Sequence, residues 1–284
     1  MHRQIGATAA GSRTLDTMTT DSEWQAWGIR DPYFAVLTNP KYRSAALTPE
    51  LKREFFESGR ITAETVLRNC RSYLDPNFSP ARVLDFGCGV ARMAIPFASI
   101  AKEVVGMDVA ETMLSEARRN CAEHGCDNIT LVLSDDSLSL APGLFDLVHS
   151  CIVLQHVEIA RGRVLFKALV DKIKPGGCGA IQLPFAWDVY AETFGVAPPP
   201  EPISPTRRSW NAIMSRLLRR KAPATPPRGS EPNDPEMQMN YYSLSELMFI
   251  LERAGVHHVA SDFTNHGGAI GVFIYFQKGF DIPP

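Results

Sequence analysis

Four acids at the ends of apolar runs mark where chemistry could occur. Asp85 stands next to last in Val83–Phe86, Asp108 closes the run that begins near Glu103, and Asp135 and Asp136 follow Leu131–Ser134. Between the first two lies Gly87-Cys88-Gly89. Glycines at this spacing let a backbone turn with positive φ and bring main-chain N–H groups close to a ligand that a Cβ would hold away. A carboxylate at the tip of the following strand, here Asp108, is placed to accept hydrogen bonds from both hydroxyls of a ribose. The chain thus reads as a binder of a nucleoside-containing cofactor.

The loop also excludes one class of cofactor. A dinucleotide fingerprint needs G-x-G-x-x-G so that a helix N-terminus can receive a pyrophosphate, but Arg92 fills the third glycine position. Asp85 would repel a diphosphate and would suit a ligand that carries an ammonium group. A nicotinamide-dependent oxidoreductase is therefore a minor alternative.

With these residues in view, DFGCGVAR (85–92) resembles the first motif of class I S-adenosylmethionine-dependent methyltransferases. GMDVAETMLSEAR (106–118) is similar to the segment that follows it, and LVLSDD, FDLVHSCIVLQHV and KPGGCGAIQLP continue in the family's order to Pro184. The chain departs from the family at Ala91, where many members carry a third glycine. The resemblance implies S-adenosyl-L-methionine as cofactor, contacted by Asp85, Gly87, Cys88, Gly89, Arg92, Asp108, Val109, Met113, Asp135, Asp136 and Cys151. Asp85 and the glycines would hold the methionine end, Asp108 the ribose, Met113 one face of the adenine and Asp135 its amino group. Asp136 falls where the family uses a backbone N–H, which leaves its side chain free. For Asp85 and Asp108 the alternative is a carboxylate that caps the next helix.

An acceptor hydroxyl or amine must lose a proton, so a histidine at the pocket rim is the candidate base. His156 is nearest the expected methyl position; His149, inside a strand, reads as buried structure, and His266, Tyr190, Tyr241 and Tyr242 are weaker candidates. Base-modifying members of the family carry N/D-P-P-Y after the fourth strand, and Ser150–Leu154 reads SCIVL instead. That argues against the amino groups of DNA bases as substrates.

The elements that must position these residues alternate between strand and helix from Arg82 onward, which implies a parallel sheet with right-handed crossovers. The expected fold class is α/β: a doubly wound, mostly parallel seven-stranded sheet with an antiparallel last strand, an N-terminal helical lid and a long insertion. Expected boundaries are a disordered N-terminus over 1–19, a lid over 20–80, a Rossmann-like core over 81–186, a proline-rich basic insertion over 187–240, and a helix with a strand hairpin over 241–284. In the lid, Trp24 and Trp27 fall on one helix face, DPYF (31–34) reads as extended, and Pro49–Gly59 and Thr62–Leu74 read as two helices. Its aromatic residues read as packing against the sheet in preference to lining a pocket.

The insertion has no acid from Ile203 to Gly229 but carries Arg207, Arg208, Arg216, Arg219, Arg220, Lys221 and Arg228. Trp210, Ile213, Met214, Leu217 and Leu218 recur at helical spacing, which suggests one basic amphipathic helix suited to an anionic acceptor or carrier.

At 284 residues, 45% of them hydrophobic, the chain can bury a sizeable core, and a net charge of −2 gives no whole-chain attraction to nucleic acid. No apolar run reaches the roughly 20 residues of a membrane span, and the first residues lack a secretory signal's apolar block, so the expected location is cytoplasmic. The six cysteines include no C-x-x-C pair. Cys121, His124 and Cys126 cluster, but without a second ligand pair they make an incomplete zinc site. The reading reached is a methyltransferase that acts on the oxygen or nitrogen of a small or medium-sized acceptor, such as a sugar, lipid or natural product. The alternatives are a non-catalytic S-adenosylmethionine-binding module and an RNA-directed methyltransferase that uses the basic insertion.

Overall fold

The apolar runs that end in Asp85 and Asp108, together with Phe145–Ser150, are buried along nearly their whole length. Strands covered on both faces belong in the middle of a parallel sheet. The structure, a computed structural model, describes residues 20–187 and 231–280. Its strands are β1 (Arg82–Phe86), β2 (Glu103–Asp108), β3 (Ile129–Leu133), β4 (Phe145–Ser150), β5 (Ile173–Trp187), β6 (Val256–His266) and β7 (Ala269–Lys278), in the spatial order β3-β2-β1-β4-β5-β7-β6. The pairings from β3 across to β5 are parallel, whereas β7 runs antiparallel to both β5 and β6. The expected seven-stranded α/β sheet with its antiparallel last strand is the one observed.

Side chains alternate between two core layers, as a strand period of two requires. Val83, Val104 and Leu147 join Val66, Cys70, Phe97 and Ala117 on one face. Leu84, Val105 and Val148 join Leu165, Phe166 and Leu251 on the other. The first face is covered by α3 (Pro49–Tyr73), α4 (Ala94–Ala98) and α5 (Glu111–Glu123), and the second by α6 (Ile159–Asp171) and α7 (Leu244–Arg253). Strand order reverses between β1 and β4, and in such sheets ligands bind beyond the carboxyl ends of the strands at that point.

The front of the chain differs from the sequence reading in two places. Pro49–Tyr73 is one helix, started by the Thr48 hydroxyl, which accepts from Leu51 N–H. Gly59, which reads as a break, lies within the helix and against the Arg92 carbonyl, where a Cβ would collide. The DPYF stretch is helical as well: Pro32 opens α2 (Pro32–Val36), since its fixed φ suits a first helical turn. Asp31 does not cap that helix. Its carboxylate accepts from Ser44 N–H at 2.6 Å and pairs with Arg43 at 2.7 Å.

Trp27, Tyr33, Phe34, Tyr42, Phe55 and Phe56 form a third apolar cluster with Val90, Met113 and Met237, so most lid aromatics do pack. Trp24, on α1 (Thr20–Arg30), is partly buried against the same cluster and also lines the hollow described below. Residues 231–243 form an irregular strap that ties this cluster to the sheet. Asp234 pairs with Arg43 and Arg30, Glu236 N–H donates to Glu23, Asn240 N–H donates to the Gln155 carbonyl, and the Tyr242 hydroxyl donates to the carbonyls of Leu154 and Val157. Tyr190, the basic side chains of the insertion and its expected helix lie outside the described residues.

Candidate active site

The β1–α4 loop turns three times through the left-handed region, at Gly87 (φ 72°), Gly89 (φ 52°) and Ala91 (φ 70°). Gly87 is required twice over, because a Cβ there would also strike the side chain of Val153. This loop and the ends of β2, β3 and β4 surround a hollow of about 830 Å³, counted with the open space at its mouth. Thr20, Asp21 and Trp24 of α1 form its roof, and Cys151, Ile152, Val153 and His156 form the wall beyond β4.

Asp108 reaches this hollow in a fixed pose. Its two oxygens accept from Gly89 N–H at 2.8 Å and Ala110 N–H at 2.9 Å, so it ties the glycine loop to the start of α5. Asp108 does not cap α5, whose N-cap is Ala110, and each of its oxygens keeps a lone pair for a ligand. Burial pushes its pKa up to about 6 against the two backbone donors. Arg92 also lines the hollow, 6% exposed. Its Nη1 donates to the Ser58 hydroxyl at 3.3 Å, its Nε has no partner, and it has no carboxylate partner among the described residues. Desolvation pulls its pKa down.

The remaining expected contacts divide. Gly87, Gly89, Val109, Met113, Asp136 and Cys151 line the hollow with Asp108 and Arg92. Asp85, Cys88 and Asp135 are not in its lining. Asp85 is buried behind the loop and accepts from His149 Nδ1–H at 2.8 Å, its other oxygen unpartnered. The Cys88 side chain packs against Gly106, and burial raises its pKa. Asp135 is spent on its own turn: it accepts from the backbone N–H and hydroxyl groups of Ser137 and Ser139. Asp135, expected at the adenine amino group, thus lies outside the lining, whereas its neighbours Ser134 and Asp136 face the hollow. Asp136 is not free either, because Arg161 holds it at 2.8 Å and also grips Asp21 at 2.6 Å, bridging roof and floor.

His156 stands at the wall with both ring nitrogens engaged. Nδ1–H donates to the Gln238 carbonyl at 2.8 Å, which leaves Nε2 to accept from the Gln155 amide at 3.0 Å. The Trp24 ring meets it edge-on at 5.0 Å. Burial lowers its pKa to about 4. The base role read from its position lacks a free nitrogen here; the ring fastens the strap and roof to the wall. The consequence for stability is measurable. Between pH 4 and 6.5 the unfolded chain protonates this ring and the folded chain does not, so its contribution is complete above pH 6.5 and is lost as pH falls to 4. Chemical unfolding of His156→Gln should show a deficit relative to the parent that shrinks by about 3 kcal/mol between pH 7 and pH 4.

Arg161, Asp21, Ser134, Gln155 and Gln238 escaped the sequence reading. Thr20 and Asp21 had a signal, as the start of a helix, but nothing in sequence joins them to Arg161. Among the described residues no group of three or more His, Cys, Asp or Glu side chains could hold a metal ion, and no helix is long and apolar enough to cross a membrane. His124 of the Cys121 cluster instead bonds the Asn120 carbonyl at 2.8 Å.

The sheet order, the glycine loop and the acid at the tip of β2 define the class I methyltransferase fold. Residues 83–177 match the methyltransferase domain family. That match spans about a third of the chain, within a fold of the class I methyltransferase type. Among curated proteins, it is 32% identical over 107 residues to the ubiquinone biosynthesis O-methyltransferase of Brucella anthropi, covering 36% of this chain and 42% of that one. It is also 30% identical over 126 residues to a 23S rRNA uracil C5-methyltransferase of a Marinomonas species, covering 39% of this chain and 28% of that one. The chain spans less than half the length of these relatives. Among solved structures, the magnesium protoporphyrin IX methyltransferase of Synechocystis with bound S-adenosylmethionine superposes with a TM-score of 0.55 at 15% identity, over 94% of this chain and all of that one. The N-methyltransferase NodS of Bradyrhizobium japonicum, with bound S-adenosylhomocysteine, gives 0.53 at 16% identity over 91% and 98%. At these identities the likeness is one of fold.

Proposed function

We propose that this chain moves the methyl group of S-adenosylmethionine to an oxygen or nitrogen atom of a small or medium-sized acceptor. The observation that carries the reading is Asp108, a buried carboxylate tied to the glycine loop and facing the hollow. The donor set fits the cofactor: Asp108 suits the ribose hydroxyls, the Arg92 guanidinium, with its Nε unpartnered, suits a carboxylate, and Gly87 and Gly89 keep the floor open where side chains would fill it. Met113, Val109, Ser134 and Asp136 would border the adenine. When bound, S-adenosylmethionine supplies an electrophilic methyl carbon on a sulfonium.

Displacement at such a carbon asks a protein chiefly to align the acceptor and exclude water. Trp24, Val36, Val153, Val157 and Leu165 supply the apolar enclosure, and Arg161 closes α1 over it by its two carboxylates. His156 keeps the wall in place and is not the proton acceptor. The partial likeness to ubiquinone O-methyltransferases supports an oxygen acceptor on a small molecule. The test is to incubate the protein with isotopically labelled S-adenosylmethionine and a pool of small-molecule extract, then follow the label by mass spectrometry. A labelled compound formed together with S-adenosylhomocysteine is expected. Binding without consumption across diverse pools would instead mark a cofactor-binding module.

A further inference from the structure

Ile152 is a β-branched residue with φ 62°, a conformation such side chains rarely adopt. Such a conformation persists only where the surroundings over-determine it. Ile152 lies in the wall of the hollow between Cys151 and Val153, and Val153 seats on the bare face of Gly87. The Ile152 N–H donates to Gln182 Oε1 at 3.0 Å. Gln182, on β5, is 1% exposed, and its Nε2 donates to the Thr264 hydroxyl on β6 at 3.4 Å. Gly271 of β7 lies opposite Thr264 in the ladder, and a Cβ there would come within 2.9 Å of the Gln182 amide nitrogen and 2.7 Å of the Thr264 hydroxyl. Three strands thus make room for one buried amide, whose oxygen holds one strained turn.

We propose that Gln182 is a positioning residue: it locks the backbone at Ile152 and so fixes the wall that Cys151, Ile152 and Val153 present to the cofactor. The inference rests on the hollow being the S-adenosylmethionine site. It follows that the edge hairpin of β6 and β7, remote in sequence from the glycine loop, sets the shape of the cofactor's wall.

A double-mutant cycle tests this, with S-adenosylhomocysteine titrated by calorimetry into Gln182→Leu, Ile152→Gly, the double variant and the parent. Glycine adopts the turn without a brace. Gln182→Leu should weaken binding by about tenfold when residue 152 is isoleucine and by less than about threefold when it is glycine, whatever Ile152→Gly costs by itself. A merely structural role for Gln182 would give the same loss with either residue at 152; that result, or no loss in Gln182→Leu, overturns the proposal. Amide exchange on the parent protein gives an answer even if Gln182→Leu does not fold: the Ile152 N–H should exchange at least about a hundredfold slower than an unstructured chain, and exchange at the free rate rejects the brace. A parent that binds no S-adenosylhomocysteine sinks the cofactor reading, and the exchange at Ile152 then still decides the brace.

Discussion

Asp108→Ala is expected to weaken S-adenosylhomocysteine binding by at least about tenfold, because hydrogen bonds to a charged acceptor are worth about 1.5–3 kcal/mol each. The substitution also frees Gly89 N–H and Ala110 N–H, which both end on this carboxylate, so the glycine loop loses its tie to α5. Two effects act in one direction, and calorimetry at pH 7.5 measures their sum. The pH dependence separates them. Burial holds the Asp108 pKa at about 6 in the empty protein, above its ordinary value of 3.8. Its contribution to stability is therefore full below pH 3.8 and is lost as pH rises through 6, a cost of about 3 kcal/mol at neutral pH. Ribose hydroxyls prefer the ionised form. Affinity in the parent should fall as pH drops from 7 to 5, and that slope should vanish in Asp108→Ala. An unchanged affinity in the variant would place the ribose elsewhere.

Asp108 was legible because a buried strand that ends in an acid, after a glycine loop, leaves that acid few directions to point. β1, β2 and β4 were legible for the same reason: apolar runs buried on both faces carry no ambiguity of face. Boundaries shifted where pairing extends a strand beyond its apolar run. β5 runs from Ile173 to Trp187, since Ile173 pairs with Phe145 of β4 and Cys178–Trp187 lie along nearly all of β7. The helix α3 was split at Gly59, whose packing on the Arg92 carbonyl no local pattern reveals. Asp135 and Asp136 illustrate a different limit. Adjacent acids at a strand end look alike in sequence, and only the turn through Ser137 and Ser139 decides which one faces the ligand. The bonds from Arg161 to Asp21 and from His156 to Gln238 join residues far apart in the chain, beyond the reach of any local pattern.

Arg92 yields the sharpest contrast between binding and stability. A guanidinium buried with one hydroxyl partner and an unpartnered Nε is costly in the empty protein, because its desolvation is not repaid by a carboxylate. Arg92→Met keeps the length of the side chain and removes the charge. Its thermal unfolding without ligand should therefore shift upward, by the equivalent of about 1–2 kcal/mol. Binding should respond in the opposite sense. S-adenosylhomocysteine carries a carboxylate that would complete Arg92, and its affinity should fall by about thirtyfold or more, the equivalent of about 2 kcal/mol. 5′-Methylthioadenosine has the same nucleoside without the amino-acid arm, and its affinity should change by less than about threefold. Equal losses for both ligands would mean that Arg92 shapes the loop instead of binding the arm, and a less stable empty variant would make it a structural post. Only a site built around an anion gives a variant that is more stable empty, blind to the amino-acid arm and still able to hold the nucleoside.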